Sequence, residues 1–170
     1  SDRYPESVGY TAADNSVVNY MNLLLRIYQL VRDLRGKRAL ELGAASGVVV
    51  EVLRRLGEVD AVGVEADARF VTFANEHNVP LIHGDLMTVP QELVVNTFAL
   101  TFSHWLLDAL ATVDEAVEYR RLRHDEELNV LATIAALTAP GDFSIHATRD
   151  PMPFTDAEFR QAGFELVEIN

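Results

Sequence analysis

Acidic and small residues recur at the ends of short apolar runs in this chain, where side chains can meet a ligand. Glu41 is followed by Leu42-Gly43-Ala44-Ala45-Ser46-Gly47, Glu65 closes the run Ala61-Val62-Gly63-Val64, and Asp85 follows Leu81-Ile82-His83-Gly84. Gly43 and Gly47 allow a tight backbone turn and a close approach to a ligand, with the N–H groups of a following helix aimed at it. Glu65 stands about 20 residues after Gly43, the offset at which an acid accepts hydrogen bonds from ribose hydroxyls in nucleotide-type sites. Asp85 is placed to accept from an adenine amino group. Each of these residues also has a plainer use: the glycines in a strand–helix turn, Glu65 as a solvated strand end, Asp85 as a cap on its own turn. A G-x-G-x-x-G dinucleotide fingerprint needs glycine at Ala45 and glycine or alanine at Val48, and both positions fail.

A second group lies at Ser103-His104-Trp105-Leu106, after the apolar run Thr97–Ser103. An imidazole with an ordinary pKa of about 6.5 suits a general base. His104 can be that base, a substrate contact or a packing residue, and Trp105 an aromatic wall or part of the core. Asp108, four residues after His104, can share a helical face with it and orient it. His146 reads as a satisfied core histidine, His77 and His124 as helix-surface residues, and His83 is open to either side of the sheet. No histidine has metal-ligand spacing with the acids, such as H-E-x-x-H, so no metal is expected. Cysteine is absent, which excludes disulfides, thiolate zinc sites and cysteine nucleophiles.

These residues need elements to hold them. A helix is expected over Asp14–Leu34, capped by Asp14, with Val17, Met21, Leu24, Tyr28 and Val31 at helical spacing and Val18, Leu25 and Leu30 widening the stripe. So broad a face calls for packing on its own domain, a dimer contact or a lid over a site. Strands are expected at Arg38–Leu42, Asp60–Glu65, Pro80–His83, Thr97–Ser103, Phe143–Thr148 and Phe164–Ile169. Between them lie helices at Val48–Leu56, stopped by Gly57, at Ala68–His77 and at Asp114–Leu137. Pro140-Gly141 reads as a turn, and Phe154–Ala162 as a short helix that Thr155 can cap. Alternating strands and helices from Arg38 onward predict a Rossmann-like three-layer α/β/α sandwich with a mainly parallel sheet, because parallel neighbours need crossover helices. Ligands then bind at the carboxyl ends of the strands, where the candidate residues stand.

In that order and spacing the sequence resembles the class I S-adenosylmethionine-dependent methyltransferases. The resemblance rests on Ala39-Leu40-Glu41-Leu42-Gly43-Ala44-Ala45-Ser46-Gly47, Val62-Gly63-Val64-Glu65-Ala66-Asp67 and Leu81-Ile82-His83-Gly84-Asp85-Leu86. The run Phe98–Ser103, the turn Ala139–Phe143 and Ala162-Gly163-Phe164-Glu165-Leu166-Val167 also fit, so it extends from about Lys37 to the end. It implies S-adenosylmethionine as cofactor, with the methionine moiety along Glu41, Gly43, Ala45 and Gly47, ribose on Glu65, and adenine beside Ala66, Asp85 and Leu86. Ser103 is expected at the cofactor, His104 as the catalytic base, and Tyr10, Tyr20, Trp105 and Asp108 at the acceptor. Ala45 stands where many members have a second glycine, and Ala99 where an aspartate commonly starts the fourth strand. The family's sheet usually has seven strands; five plus Phe164–Ile169 imply a shortened sheet, a trimmed chain or another chain over the edge.

The chain has 170 residues and a formal charge of −12, with 49% hydrophobic and 24% charged residues. This is globular composition with room for one core. Strong negative charge disfavours nucleic acid or an anionic membrane as partner. The amino-methyltransferase signature after the fourth strand, an Asp or Asn followed by two prolines and an aromatic, is missing. The expected activity is therefore O- or N-methylation of a small molecule. The alternative is a methyltransferase fold without methyl transfer, either cyclase-like or an accessory subunit. Residues 1–36 are expected to form a helical lid or packing segment on a domain of residues 37–170. No stretch reaches the roughly 20 apolar residues of a membrane span, no signal-peptide pattern opens the chain, and a cytoplasmic protein is expected, with a homodimer as one way to cover the broad face of the first helix.

Overall fold

The computed structural model describes residues 17–87, 93, 97–107, 124–148, 152 and 154–167. Among them, α1 (Val17–Leu30) precedes β1 (Arg38–Leu42), α2 (Val48–Gly57), β2 (Asp60–Glu65), α3 (Ala68–Glu76), β3 (Leu81–His83) and β4 (Phe98–His104). Then come α4 (His124–Leu137), β5 (Thr138–Ala147) and α5 (Asp156–Gln161). The strands pair in the order β3-β2-β1-β4-β5, and every pairing is parallel. The chain runs outward from β1 through β2 to β3, then returns to the other side of β1 for β4 and β5. The crevice where the order reverses therefore opens beyond the carboxyl ends of β1 and β4, with Leu42 level with Ser103.

Period-two alternation divides the core into two layers. Ala39, Ala61, Leu100 and Phe102 face one cluster with Leu23, Leu24 and Ile27 of α1, Val49, Val50 and Leu53 of α2 and Val71 and Ala74 of α3. Leu40, Leu42 and Val64 face the other, with Val130, Leu131, Ile134 and Leu137 of α4 and Phe159 of α5. The expected sandwich is thus the observed one, and α1 belongs to the same core as the sheet.

Several boundaries differ from expectation for local reasons. The proposed Asp14 cap lies outside the described residues, as does the amino-terminal part of the Asp114–Leu137 helix. In α1 the buried set is Leu23, Leu24 and Ile27, whereas Met21, Leu25 and Tyr28 form an exposed row; in a helix apolar nearly all round, periodicity alone does not fix which face is covered. Gly57 belongs to α2, and the left-handed residue after it is Glu58 (φ 53°). A Cβ at 57 would meet the Tyr28 hydroxyl, the tip of a half-exposed side chain that can swing aside. Pro140-Gly141 lies within β5, whose register shifts between its pairings with Phe98 and Leu100, so the turn is absorbed as a bulge. Phe164–Val167 is not a strand; Phe164 and Leu166 pack on the second cluster. Asp67 caps α3 by accepting from Arg69 N (2.9 Å), and Thr155 with Glu158 forms a capping box on α5.

Candidate functional site

The loop after β1 is held by the end of β2. The N–H groups of Gly43 and Ala44 donate to the Val64 carbonyl at 2.9 and 3.0 Å, and that of Ala45 donates to Glu65 Oε2 at 2.8 Å. Glu65 Oε1 accepts from Asp67 N at 2.9 Å, so one carboxylate ties the loop to the start of α3. Gly43 (φ 67°), Ala45 (φ 45°) and Gly47 (φ 76°) are all left-handed. A Cβ on Gly43 would meet the end of the Leu106 side chain at 2.9 Å and one on Gly47 the stiff Val79 at 2.7 Å, so φ favours glycine at both and space adds to this at Gly47. Gly63 does the same from β2: a Cβ there would lie 2.5 Å from Ala44 Cβ and from Leu81 Cδ2.

Glu41 lies on the same sheet face and is 3% exposed. It accepts from the Val50 amide in the first turn of α2, while its Oε2 is buried without a hydrogen-bond partner. Burial pushes its carboxyl well above the usual range; the Val50 bond offsets part of this and the nearby Glu65 charge adds to it. The α2 terminus expected to aim N–H groups at a ligand instead turns one onto Glu41. What the loop presents to the crevice is backbone surface, in a pocket lined by Tyr20, Glu41, Gly43, Ala44, Ala45, His104 and Trp105.

The β4–β5 side is built differently. Ser103 Oγ lies 2.8 Å from His146 Nδ1, Ser144 Oγ 2.8 Å from His146 Nε2, and Thr101 Oγ1 2.7 Å from Ser144 Oγ. Thr101 Oγ1 also contacts Thr138 Oγ1 at 2.8 Å, and Thr138 donates to the Ile134 carbonyl at 2.8 Å. Counting protons orients the whole chain. A carbonyl only accepts, so Thr138 spends its proton there and accepts from Thr101; Thr101 accepts from Ser144; Ser144 accepts from His146 Nε2–H. His146 Nδ1 is then bare and accepts from Ser103. Burial lowers the His146 pKa to about 4, which keeps the ring neutral.

No protein-family model matches the chain. Over 90 residues it is 30% identical to the ribosomal protein L11 methyltransferase of Xanthomonas oryzae pv. oryzae, a stretch that is 52% of this chain and 29% of that protein's length. A TehB-like S-adenosylmethionine-dependent methyltransferase from Corynebacterium glutamicum superimposes with a TM-score of 0.59 at 17% identity, covering 89% of this chain and 73% of that one. The [4+2]-cyclase SpnF superimposes with a TM-score of 0.65 at 16% identity, covering 97% and 63%. The chain has the class I S-adenosylmethionine-dependent methyltransferase fold.

Within this methyltransferase fold the expected site residues divide. Glu41, Gly43, Ala45, Tyr20, His104 and Trp105 meet at one pocket. His104 is the last residue of β4, and Trp105 follows it with a left-handed φ of 59°. Gly47 stands behind the loop against Val79 and Leu81. Ala66 is held through its carbonyl, 3.0 Å from His83 Nε2; Asp85 Oδ1 accepts from Met87 N at 2.9 Å; Leu86 is buried in the second core cluster. Alternation along β4 sets Ser103 on the face opposite His104, fully buried with its hydroxyl on His146. Tyr10 and Asp108 lie outside the described residues. Among the described residues no cluster of three or more His, Cys, Asp or Glu can hold a metal, and no helix is long and apolar enough to cross a membrane. Three contributors were missed: Gly63, His83 as a brace on the Ala66 carbonyl, and the hydroxyl chain around His146. Only Gly63 had a local signal, a glycine between two valines inside a strand.

Proposed function

We propose that this chain binds S-adenosylmethionine in the crevice beyond β1 and β4 and transfers its methyl group to oxygen or nitrogen of a small-molecule acceptor. The observation that carries this reading is the contrast between the two carboxyls beside the glycine loop. Glu65 ties the loop to the start of α3, with one oxygen on Ala45 N and the other on Asp67 N, and each carboxylate oxygen has a second lone pair that can accept from a ribose hydroxyl. Glu41 Oε2 is buried without a hydrogen-bond partner, a deficit of about 1–3 kcal/mol; the ammonium of a methionine moiety would favour the ionised carboxylate and donate to that oxygen. Gly43 and Ala45 leave room for the moiety because one lacks a side chain and the other carries only a methyl. Ala66, Asp85 and Leu86 would border adenine, where Asp85 has lone pairs beyond the Met87 bond.

When bound, the cofactor supplies an electrophilic methyl group on a sulfonium centre. The protein's own task is to align the acceptor and remove its proton. His104 borders the same pocket as the loop and is the group that takes the proton from an acceptor O–H or N–H. Residues 1–36 are read as the cover of the acceptor side, supported by Tyr20 of α1 reaching His104. Calorimetry with S-adenosylhomocysteine tests the cofactor assignment: saturable binding is expected, and none at millimolar ligand overturns it.

A second reading, a methyltransferase fold that binds the cofactor or a partner without methylating, is favoured by two observations. SpnF, named as a cyclase, matches 97% of this chain, and Ala45 and Ala99 depart from the family pattern. Transfer of labelled methyl to any small molecule from a metabolite extract decides against it.

A further inference from the structure

The acceptor side of the pocket is a wall of three rings. Tyr20 meets His104 with centroids 5.2 Å apart and planes tilted by 48°, and His104 stacks on Trp105 at 4.4 Å and 24°. Trp105 adopts φ 59°, a costly conformation for a bulky residue, held by its N–H on the Ala147 carbonyl at 2.7 Å. Strain of this kind persists where the surroundings over-determine it and clusters at ligand sites. Glu41, with its unpartnered buried oxygen, lines the same pocket. Among the described lining residues there is no lysine or arginine, so these residues offer a carboxylate or phosphate no counter-charge, and the chain's charge of −12 repels anions on approach. Aromatic faces favour a cation, and the Glu41 oxygen is the one assigned above to the methionine ammonium.

We propose that Tyr20, His104 and Trp105 form an onium-binding wall whose occupant is the ammonium of a small amine acceptor. This deepens the reading above by naming the acceptor class of the same site, and rests on that reading for the reaction though not for the binding. The ammonium gives one N–H proton to His104, so its nitrogen becomes neutral and the positive charge passes to the imidazolium stacked on Trp105. The freed nitrogen lone pair forms the N–CH3 bond as the S–CH3 bond breaks, and that bond's electron pair stays on sulfur. An onium could also come from the cofactor's own sulfonium, and the experiment separates the two.

Trp105 is the one tryptophan in the sequence, so its emission reads the wall directly. The probes are choline and 3,3-dimethylbutan-1-ol, which share a shape and differ in charge. Choline is expected to bind at least about tenfold more tightly, Tyr20→Leu to bring the ratio close to one, and Tyr20→Phe, which keeps the ring face, to preserve it. Equal binding of the two probes, or a ratio unmoved in folded Tyr20→Leu protein, overturns the wall. Repeated on protein saturated with S-adenosylhomocysteine, choline binding is expected to persist, and the ratio of S-adenosylmethionine to S-adenosylhomocysteine affinity to be the same in Tyr20→Leu as in the parent. Loss of choline binding with a fall in that ratio assigns the wall to the sulfonium and overturns the amine acceptor. Choline selectivity without any S-adenosylhomocysteine binding supports the wall and strikes the cofactor reading instead.

Discussion

On the β1–β2 side of the crevice, three successive loop amides end on one carbonyl and one carboxylate of β2, and shape is set by residues that lack side chains. On the β4–β5 side, four hydroxyls and an imidazole run from the Ile134 carbonyl to Ser103, and shape is set by side chains alone. Both sides hold polar groups at the edge of a parallel sheet, and each leaves one titratable group in a low-dielectric setting. Their signs differ. Glu41 resists ionisation and has an oxygen without a partner; His146 resists protonation and has both nitrogens engaged. A half-satisfied acid suits a side that waits for a ligand, and a fully satisfied histidine suits one that only braces the backbone beneath His104 and Trp105.

The largest expected effect sets these two groups against each other. Above the ordinary carboxyl value of 4.5 the unfolded chain gives up the Glu41 proton while the folded chain keeps it, so this group makes stability fall as pH rises, until its own raised pKa is passed. His146 does the reverse. Between its folded value of about 4 and the ordinary 6.5 the unfolded chain holds the extra proton, so stability rises with pH. That rise is on the order of 3 kcal/mol across the window. Urea midpoints measured from pH 4.5 to 6.5 should rise more steeply in Glu41→Gln than in the parent, and should lose the rise in His146→Gln, whose amide still donates and accepts. An unchanged slope in His146→Gln breaks the comparison on its β4–β5 side.

Next in size is the loop clamp. Glu65→Gln keeps one acceptor oxygen but turns an NH2 toward a loop N–H, so a charge-assisted bond worth about 1.5–3 kcal/mol is lost. S-adenosylhomocysteine affinity should drop roughly ten- to hundredfold with the fold retained by circular dichroism; calorimetry showing parent affinity removes Glu65 from the site. Gly63→Ala tests the same clamp from behind. Its new Cβ would lie 2.5 Å from Ala44 and Leu81, so overpacking of about 1–3 kcal/mol is expected, read as a lower urea midpoint at constant slope.

The same division explains what could be read from the sequence. β1 and β2 were placed residue for residue at Arg38–Leu42 and Asp60–Glu65, because a buried parallel strand is a short apolar run bounded by turn residues, and Glu41, Gly43, Gly47 and Glu65 stand at fixed offsets from those runs. The β4–β5 chain joins residues 37 and 43 apart, a proximity created by strand register that no local pattern carries. For the same reason the position of Ser103 at a strand end is legible, but its contact with His146 is not. The exposure of Met21, Leu25 and Tyr28 is not legible because α1 is apolar on more than one side and the face it covers is set by its packing on the domain.

The smallest effect concerns the one loop residue that departs from both the glycine pattern and the easy backbone. Ala45 has φ 45°, a left-handed conformation that costs an alanine about 1–2 kcal/mol and a glycine nothing. Against this, glycine adds freedom to the unfolded chain worth about 0.5–1 kcal/mol. Ala45→Gly should therefore stabilise the fold by several tenths of a kcal/mol to about 1 kcal/mol, seen as a higher urea midpoint. The Ala45 amide would still donate to Glu65, so S-adenosylhomocysteine affinity should stay within about twofold. If instead stability falls and affinity rises, the alanine is there to fill the pocket beside Glu41 rather than merely to close the turn, and the β1–β2 side then shapes its ligand with a side chain, as the β4–β5 side does.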